Sequence, residues 1–401
     1  MKTYIFLTFS LADVGGGQCY LAAKARYLET QGWKTIIISA TDRKKRNCPI
    51  DYLNKYLPYS VQELRYQIYE LHPFLVKRGI DKILKNIGRI NSNDDIIIES
   101  HTDRAVLWGE IVAKRLRARH IFIAMYEKYR MPNQNFTNKI EFYKFKMNRG
   151  ELLCSSLTAN RLFDGYQTYK KEDIEEVIID EAPVQDVNNI KVDALHRYDY
   201  NICYIGRTQK SYVPHIIKGV GEFSGKHRDK QIQFVIVGQS ELQRELIDTV
   251  KNNNKNLIVT EVGSLHPLPK TLYSKIDVVI AGSGSARCSA EEGAVTIIAD
   301  TESDKSLGLL GYDTNESVYK TKDSVIISYS EALERVLIRK EHKTMPFIYP
   351  PPMGVAKCTA QNFKLISKAK KNLEYYDEKK IREGKLSPKA NMLLIISTIT
   401  R

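Results

Sequence analysis

Apolar runs of strand length alternate with segments of helical period along the whole chain. In the first half, helical spacing places Leu21, Ala25 and Leu28 on one face, and Gly32 follows where helices commonly end in a glycine. This alternation is typical of an α/β protein whose parallel sheets are covered on both faces by helices. The strands predicted in this half cover residues 4–9, 35–39, 96–99 and 121–125.

The alternation restarts near residue 200 and predicts a second Rossmann-like domain. A polar, aperiodic stretch at 184–197 precedes it, and helical residues 359–375 are long enough to cross back onto the first domain. The strands predicted here cover residues 201–205, 234–237, 257–260, 277–281, 296–299 and 325–328. The predicted divisions are a first domain at 1–185, a linker at 186–199, a second domain at 200–346, a crossover segment at 347–375 and a basic tail at 376–401.

Composition narrows the class of partner. The 401 residues exceed the size at which one hydrophobic core keeps growing, which supports two domains. Lys and Arg total 61 against 47 Asp and Glu, and the net charge of +14 favours a phosphorylated ligand, a membrane surface or nucleic acid. No nucleic-acid-binding motif is present, so nucleic acid is not expected as a partner.

The cysteines and apolar segments indicate a cytoplasmic protein. Six scattered cysteines form neither a CxxC motif nor a metal-ligand cluster, so we expect no zinc, no disulfide framework and a reducing compartment. No apolar run approaches the roughly 20 residues that span a bilayer. We interpret the opening MKTYIFLTFSLA as a core strand rather than a signal peptide, because a Gly-rich turn and an amphipathic helix follow it directly.

The first chemical motif is DVGGGQ at residues 13–18, between the first strand and the first helix. Its glycines, including Gly16 and Gly17, allow the backbone to approach a ligand closely, and the helix N-terminus offers free N–H groups to an anion. The alternative is a tight βα turn without a ligand.

The second motif is YIGRTQK at residues 204–210, where a strand runs into Gly206 and Arg207. Arg207 at the carboxyl end of a strand lies where doubly wound sheets bind ligands, and its guanidinium suits a diphosphate, with Lys210 nearby. The alternative role of Arg207 is a structural salt bridge.

The third motif, AGSGSARCSAEEGA at residues 281–294, is the most specific. An apolar strand enters a Gly/Ser-rich turn and a short helix leaves it, which predicts a phosphate cradle. Helical spacing places Ser285, Ser289 and Glu292 on one face, so Glu292 is the candidate partner of a ribose hydroxyl. Arg287 and Glu291 are four residues apart, and their alternative role is a surface ion pair.

In order and spacing these motifs resemble the GT-B glycosyltransferases, especially the retaining, family 4-like enzymes that build bacterial capsule, lipopolysaccharide and exopolysaccharide. The resemblance covers residues 3–375 and includes FVIVG, which ends at Gly238, and EEGAVTIIAD, which ends at Asp300. It implies two Rossmann-like domains facing a central cleft, with a nucleotide-sugar donor on the second and a saccharide or lipid-linked acceptor on the first. The implied donor-binding residues are Gly16, Gly17, Gly206, Arg207, Lys210, Gly238, Ser283, Gly284, Ser285, Ala286, Arg287, Ser289 and Glu292.

The chain departs from that family in two respects. Many relatives carry two glutamates separated by seven residues, but here the partner positions of Glu291 and Glu292 are Ser283 and Gly284. The usual lysine five positions after the arginine is absent, which leaves Lys210 or Lys218 as substitutes. No D-x-D occurs, so we expect no metal and no cofactor, with the diphosphate neutralised by cationic side chains and helix N-termini.

Two acceptor-side residues are catalytic candidates. His101, in IIIESHTDR at the end of a strand, suits a general base because imidazole titrates near neutral pH, although a lone histidine is more often structural. Asp13, beside the Gly-rich loop, is the other. Two further hypotheses remain: a non-catalytic subunit that binds a sugar nucleotide or polysaccharide, and a sugar-nucleotide 2-epimerase of the same fold.

A basic, aromatic stretch at residues 114–149 predicts peripheral contact with an anionic membrane at the inner face of the plasma membrane. It carries ten basic side chains against Glu127 and Glu141, with seven Phe or Tyr among them. The alternative is a solvated face that serves only phosphorylated substrates.

Overall fold

The chain forms two compact units, the first of residues 1–181 and 353–401 and the second of residues 182–352. The computed structural model describes residues 2–12, 14–42, 47–90, 94–125, 138–163, 168–170, 175, 184–238, 241–314, 318–320, 324–351, 353–369 and 371–399.

The first unit is built on a five-stranded parallel sheet with the order β2-β1-β3-β4-β5. Its strands are β1 (Lys2–Thr8), β2 (Lys34–Ser39), β3 (Asp95–Ser100), β4 (Arg119–Ile123) and β5 (Leu152–Leu153). Its helices before the second unit are α1 (Gly16–Thr30), α2 (Asp51–Asn54), α3 (Pro73–Ile87), α4 (Asp103–Leu116), α5 (Lys139–Asn148) and α6 (Ser156–Leu162), with 3-10 turns at Leu57–Tyr59, Gln62–Arg65 and Ile68–Glu70. The strand order reverses between β1 and β3, and ligands of doubly wound sheets bind at the carboxyl ends flanking such a reversal.

Both faces of this sheet are covered, which explains why β1 contains the unbroken apolar run 4–7 rather than an alternating pattern. Ile5 and Leu7 pack on the side of Trp108 from α4, whereas Tyr4 and Phe6 pack with α1 on the other side. Each strand predicted in this half is present and begins one or two residues earlier than predicted.

The second unit contains a six-stranded sheet with the order β13-β12-β11-β7-β8-β9. The strands of the unit are β6 (Val184–Gln185), β7 (Tyr200–Ile205), β8 (Ile232–Val237), β9 (Leu257–Glu261), β10 (Leu268–Pro269), β11 (Val278–Ala281), β12 (Thr296–Ala299) and β13 (Ser306–Leu309). Of these, β6 and β10 form a separate two-stranded parallel sheet. Its helices are α7 (Ile190–Asp193), α8 (Val213–Lys226), α9 (Arg244–Asn253), α10 (Thr271–Ser274), α11 (Ser283–Glu291) and α12 (Tyr329–Leu333), with a π-helical continuation at Glu334–Ile338 and 3-10 turns at Glu241–Gln243 and Glu341–Lys343. Only β13 is antiparallel in this sheet, and the order reverses between β7 and β11.

One strand prediction in this half is wrong. The strand predicted at 325–328 is a single bridge between Ile327 and Ser306, because Ser328 already caps α12 by accepting a hydrogen bond from the Glu331 amide. The stretch predicted as a linker contains α7, and Val192 of this helix is buried in the core of the second unit.

The chain returns to the first unit through α13 (Val355–Lys368), α14 (Glu378–Arg382) and α15 (Pro388–Ile399). Leu365 and Ile366 of α13 join the core beside Tyr4 and Phe6. The backbone amide of Tyr376 donates to Glu110 Oε1 at 2.8 Å. The first unit is therefore completed by residues that follow the second in sequence.

A buried ionic network lies beneath this returning segment. His120 Nδ1 is 2.6 Å from Glu110 Oε2, and Lys146 Nζ is 2.7 Å from both Glu110 Oε2 and Glu151 Oε2. Arg149 joins Glu151 through its Nε at 2.9 Å. Because every member is buried, each charge depends on its partners rather than on water.

The free energy of unfolding is expected to fall as the pH drops from about 6.5 toward 2. Burial and Lys146 lower the pKa of His120 from 6.5 to about 4. Between pH 6.5 and 4 the unfolded chain therefore binds a proton at His120 that the folded chain does not bind. Burial raises the pKa of Glu110, but Lys146 and His120 outweigh it and hold this pKa at about 2 instead of 4.5, so its contribution is lost below 4.5.

Urea unfolding at several pH values, followed by tryptophan fluorescence, checks this loss. Both tryptophans of the chain, Trp33 and Trp108, belong to the first unit, so the signal reports on the unit that holds the network. His120→Asn should flatten the upper part of the profile and leave the lower part. A wild-type midpoint that is constant between pH 6.5 and 3 contradicts the prediction.

Candidate functional site

In the first unit, the Gly-rich loop and His101 follow the adjacent strands β1 and β3, at the reversal of strand order. Helix α1 begins at Gly16, and its N-cap Gly15 provides no side-chain hydrogen bond to the first turn. A Cβ at Gly17 would lie 3.8 Å from Met125 Cε, an ordinary contact. Asp13, the second catalytic candidate, lies outside the described residues.

His101 is buried and paired with Glu99. Its Nε2 is 2.6 Å from Glu99 Oε1, and its Nδ1 has no hydrogen-bond partner in the described part of the chain. Because an ionised carboxylate only accepts, the Nε2 atom carries the proton and donates it to Glu99. In the neutral ring the unpartnered Nδ1 is therefore the proton-accepting nitrogen.

Glu99 is the centre of a larger buried cluster. Lys24 Nζ is 2.6 Å from Glu99 Oε2, the Tyr4 hydroxyl donates to the same oxygen, and the Tyr20 hydroxyl is 3.2 Å from Oε1. Burial raises the pKa of Glu99, but Lys24 and His101 more than offset it and hold this pKa at about 2. Burial and then Glu99 raise the pKa of Tyr4 and Tyr20 well above the usual range, so both remain donors. The cluster thus keeps Glu99 ionised and hydrogen-bonded to His101.

Sequence reasoning missed Lys24, Tyr4 and Tyr20. A signal was present for Lys24, since this charged residue lies beside Ala25 on the face of α1 that was predicted to be buried. A charge on a buried helix face needs a partner of opposite sign. That partner, Glu99, is 75 residues away in sequence, so only the fold identifies it.

In the second unit, Gly206 and Arg207 follow the central strand β7. The Tyr204 hydroxyl donates to the Arg207 carbonyl at 3.0 Å, and a Cβ at Gly206 would lie 2.7 Å from that hydroxyl oxygen. A Cβ at Gly238, after β8, would lie only 2.2 Å from the Gly206 carbonyl oxygen. Glycine is thus required at 238 for the two strand ends to meet.

The side chain of Arg207 is exposed and forms no ion pair or hydrogen bond within the described residues. A structural salt bridge therefore does not account for it. Lys210 is half-buried, and its backbone amide donates to the Arg207 carbonyl at 3.4 Å.

The turn into α11 follows β11, the neighbour of β7. Gly282 caps α11 without a side-chain hydrogen bond, and Ser283 has the left-handed φ of 52°. A non-glycine residue in this region costs free energy, and such residues are concentrated at binding sites. Ser283 Oγ donates to the Tyr319 hydroxyl at 3.4 Å. The uncapped end of α11 and Arg207 thus stand at the carboxyl ends of adjacent strands.

The other predicted residues of this helix divide by burial. Gly284, Ser285 and Arg287 are half-buried, and Arg287 forms no ion pair among the described residues. Ala286 is fully buried in the core. Ser289 is also fully buried, and its hydroxyl donates to the Ser285 carbonyl at 2.9 Å, which leaves it no free donor for a ligand.

Glu292 ends α11 and forms a long ion pair with Lys270, at 3.8 Å. Both side chains keep some exposure, so the carboxylate stays accessible to another partner. An exposed ion pair of this length contributes little to stability.

Neither a metal site nor a membrane span is found in the described part of the chain. No group of three or more His, Cys, Asp or Glu side chains there is placed to hold a metal ion. No helix in the same residues is long and apolar enough to cross a membrane.

Several basic side chains of the stretch at 114–149 are buried or paired with acidic residues. Lys146 and Arg149 are buried in the ionic network, because each neutralises Glu151. Arg115 and Arg119 form ion pairs of 3.4 Å with acidic residues. Lys128 and Arg130 lie outside the described residues.

Solved structures of similar fold place this architecture in a known class. HepE from Anabaena, in complex with UDP and glucose, is 13% identical with a TM-score of 0.54, and the match covers 99% of each chain. A glycosyltransferase from Rickettsia africae is 14% identical with a TM-score of 0.54, over 99% of this chain and 98% of that one. A putative UDP-N-acetylglucosamine 2-epimerase from Listeria monocytogenes is 11% identical with a TM-score of 0.53, over 94% of this chain and all of the other.

The chain therefore has the GT-B fold, which confirms the predicted fold class of two Rossmann-like units. At such low identity the likeness shows the fold alone. No protein-family model matches the sequence, and no curated protein does.

Proposed function

We propose that the protein is a glycosyltransferase whose second unit binds a nucleotide-sugar donor and whose first unit binds a saccharide or lipid-linked acceptor. One observation supports donor binding most strongly. Arg207 is exposed and forms no ion pair among the described residues. It lies with the N-terminus of α11, which has no side-chain cap, at the carboxyl ends of the adjacent strands β7 and β11. This is where doubly wound sheets bind phosphorylated ligands.

The proposed donor is a uridine diphosphate sugar. HepE was solved with UDP and with UDP-glucose, and its fold spans almost the whole chain. The diphosphate would be neutralised by Arg207 and by the free N–H groups of α11, without a protein-bound metal. Glu292, accessible at the end of α11, is the proposed partner of a ribose hydroxyl.

The proposed acceptor-side base is His101. An acceptor hydroxyl attacks the anomeric carbon of the donor sugar, the bond from that carbon to the diphosphate breaks, and its electron pair leaves with UDP. The hydroxyl proton passes to His101 Nδ1, the nitrogen that has no partner among the described residues. Glu99 acts as a positioning residue, since its bond to Nε2 fixes the tautomer that accepts at Nδ1.

Replacing Arg207 by alanine is expected to weaken UDP binding about tenfold or more, because a charge-assisted hydrogen bond contributes about 1.5–3 kcal/mol. Calorimetric titration with UDP and UDP-glucose measures this. The matched control is Arg228→Ala, since Arg228 is exposed in the same unit but precedes β8, at the amino edge of the sheet. Equal affinities of wild type and Arg207→Ala would place the donor elsewhere.

A sugar-nucleotide 2-epimerase is the second candidate, because proteins named as UDP-N-acetylglucosamine 2-epimerases share the fold. Incubation of the protein with UDP-N-acetylglucosamine and no acceptor separates the candidates. An epimerase yields the 2-epimer, whereas a transferase yields at most slow release of UDP. A non-catalytic binding subunit yields neither.

A further inference from the structure

The last helix of the chain, α15, has two apolar faces of different character. Ala390 and Leu394 are buried in the core of the first unit. On the outer side, four apolar side chains in five positions are half-exposed. They are Met392 at 56%, Leu393 at 44%, Ile395 at 47% and Ile396 at 47%. A contiguous apolar patch of this kind on a folded surface marks an interaction site.

The apolar face is presented by a helix that is firmly attached. The Asn391 side chain accepts from the His72 amide at 2.7 Å and donates to the Glu70 carbonyl at 3.0 Å. The Ser387 amide, just before the helix, donates to the same carbonyl at 2.9 Å. Because these contacts hold α15 against the unit, its outer face is a fixed surface rather than a frayed end.

The surroundings of the patch are cationic. Residues 384–401 contain no Asp or Glu, whereas Lys385 and Lys389 precede the patch. Phe74, 61% exposed, and Lys77 lie three residues apart at the start of α3, next to the His72 amide that binds Asn391. None of these three lysines forms an ion pair within the described residues. The apolar patch is thus bordered by positively charged side chains.

We propose that α15, with Phe74, forms an interfacial anchor for an anionic lipid bilayer. A helix that is held against a folded unit and turns apolar side chains outward, with lysines at the border, can lie in the headgroup region, where each lysine is attracted to anionic lipid. A second copy of the chain suits the face less well. Two such faces would bring lysines together, and five side chains fall far short of the roughly 20–30 residues per partner of a stable interface.

This anchor differs from the stretch at 114–149, where the structure buries or pairs several of the basic side chains. It is also independent of the proposed glycosyl transfer. Lipid binding is measured without donor or acceptor, so its result does not test glycosyl transfer. Either proposal can therefore fail while the other holds.

The test is flotation of the full chain with phosphatidylcholine vesicles, with and without phosphatidylglycerol. Wild type should float with the anionic vesicles and less so at high salt. The double variant Met392→Ser/Ile396→Ser should lower the bound fraction about tenfold or more, because the apolar face supplies the insertion. Lys385→Gln/Lys389→Gln should lower it on anionic vesicles only.

Two controls make the test specific. Ile190→Ser/Leu242→Ser removes two exposed apolar side chains of the second unit and should float like wild type. Lys114→Gln/Lys144→Gln removes exposed charges of the stretch at 114–149 and should also float like wild type. Unchanged melting curves show that each variant is folded.

Several results overturn the proposal. One is that Met392→Ser/Ile396→Ser floats as well as wild type. Another is that wild type itself does not float. A third is a loss of binding confined to Lys114→Gln/Lys144→Gln, which would assign the membrane surface to that stretch. A fourth is a wild-type dimer in light scattering that Met392→Ser/Ile396→Ser dissociates, which would make the face a contact between copies.

Discussion

Replacing Lys146 by methionine is expected to lower the free energy of unfolding by about 3–5 kcal/mol. Lys146 Nζ is 2.7 Å from both Glu110 and Glu151, and all three side chains are buried. Methionine fills a similar volume without the charge, so two carboxylates remain in the interior with fewer partners. Urea unfolding followed by tryptophan fluorescence measures the change in the first unit.

The matched control is Lys144→Met, two residues earlier in the same helix. Lys144 is exposed and forms no ion pair within the described residues, so its replacement should change stability by less than about 0.5 kcal/mol. If the two variants lose the same stability, the effect comes from helix α5 itself. The buried network would then not be the cause.

The second large effect is expected at His101. His101→Gln should lower kcat about 10²–10⁴-fold, because an amide cannot accept the acceptor proton although it can still donate to Glu99. The measurement is release of UDP in the presence of an acceptor that supports turnover by wild type.

Donor affinity provides the control for this variant. UDP is proposed to bind the second unit, so its Kd should be unchanged in His101→Gln while kcat falls. Turnover at the wild-type rate would remove His101 from the mechanism. A parallel loss of UDP binding and melting temperature would show that the histidine only stabilises the fold.

The strands were predictable where both faces of a sheet are covered. Runs such as 4–7 in β1 and 234–237 in β8 are then apolar at every position and stand out from their surroundings. The edge strand β13 of the six-stranded sheet was not predictable. Strand β13 has the sequence SLGL, in which glycine weakens the strand pattern, whereas the apolar residues at 325–328 only reach one bridge.

The site was predictable in part, for a related reason. Motifs at strand ends, such as those at His101 and Arg207, can be located from the sequence because parallel sheets collect ligands there. The contacts behind such a motif cannot be located in this way. Lys24 pairs with Glu99, the partner of His101, only through the packing of α1 on β3. Ser289 shows the limit of helical periodicity. It was expected to share an accessible face with Ser285 and Glu292, but its own side chain is buried in the core.

The path of the chain has a consequence for the order in which the protein is made. The second unit is continuous, so every one of its strands has been synthesised before Leu365 and Ile366 exist to close the core of the first. Domains commonly fold from the N-terminus onward as the ribosome extends the chain. Here the first unit is completed only by residues made after the whole second unit, and until translation reaches Tyr376 the nascent Glu110 lacks one of its native partners.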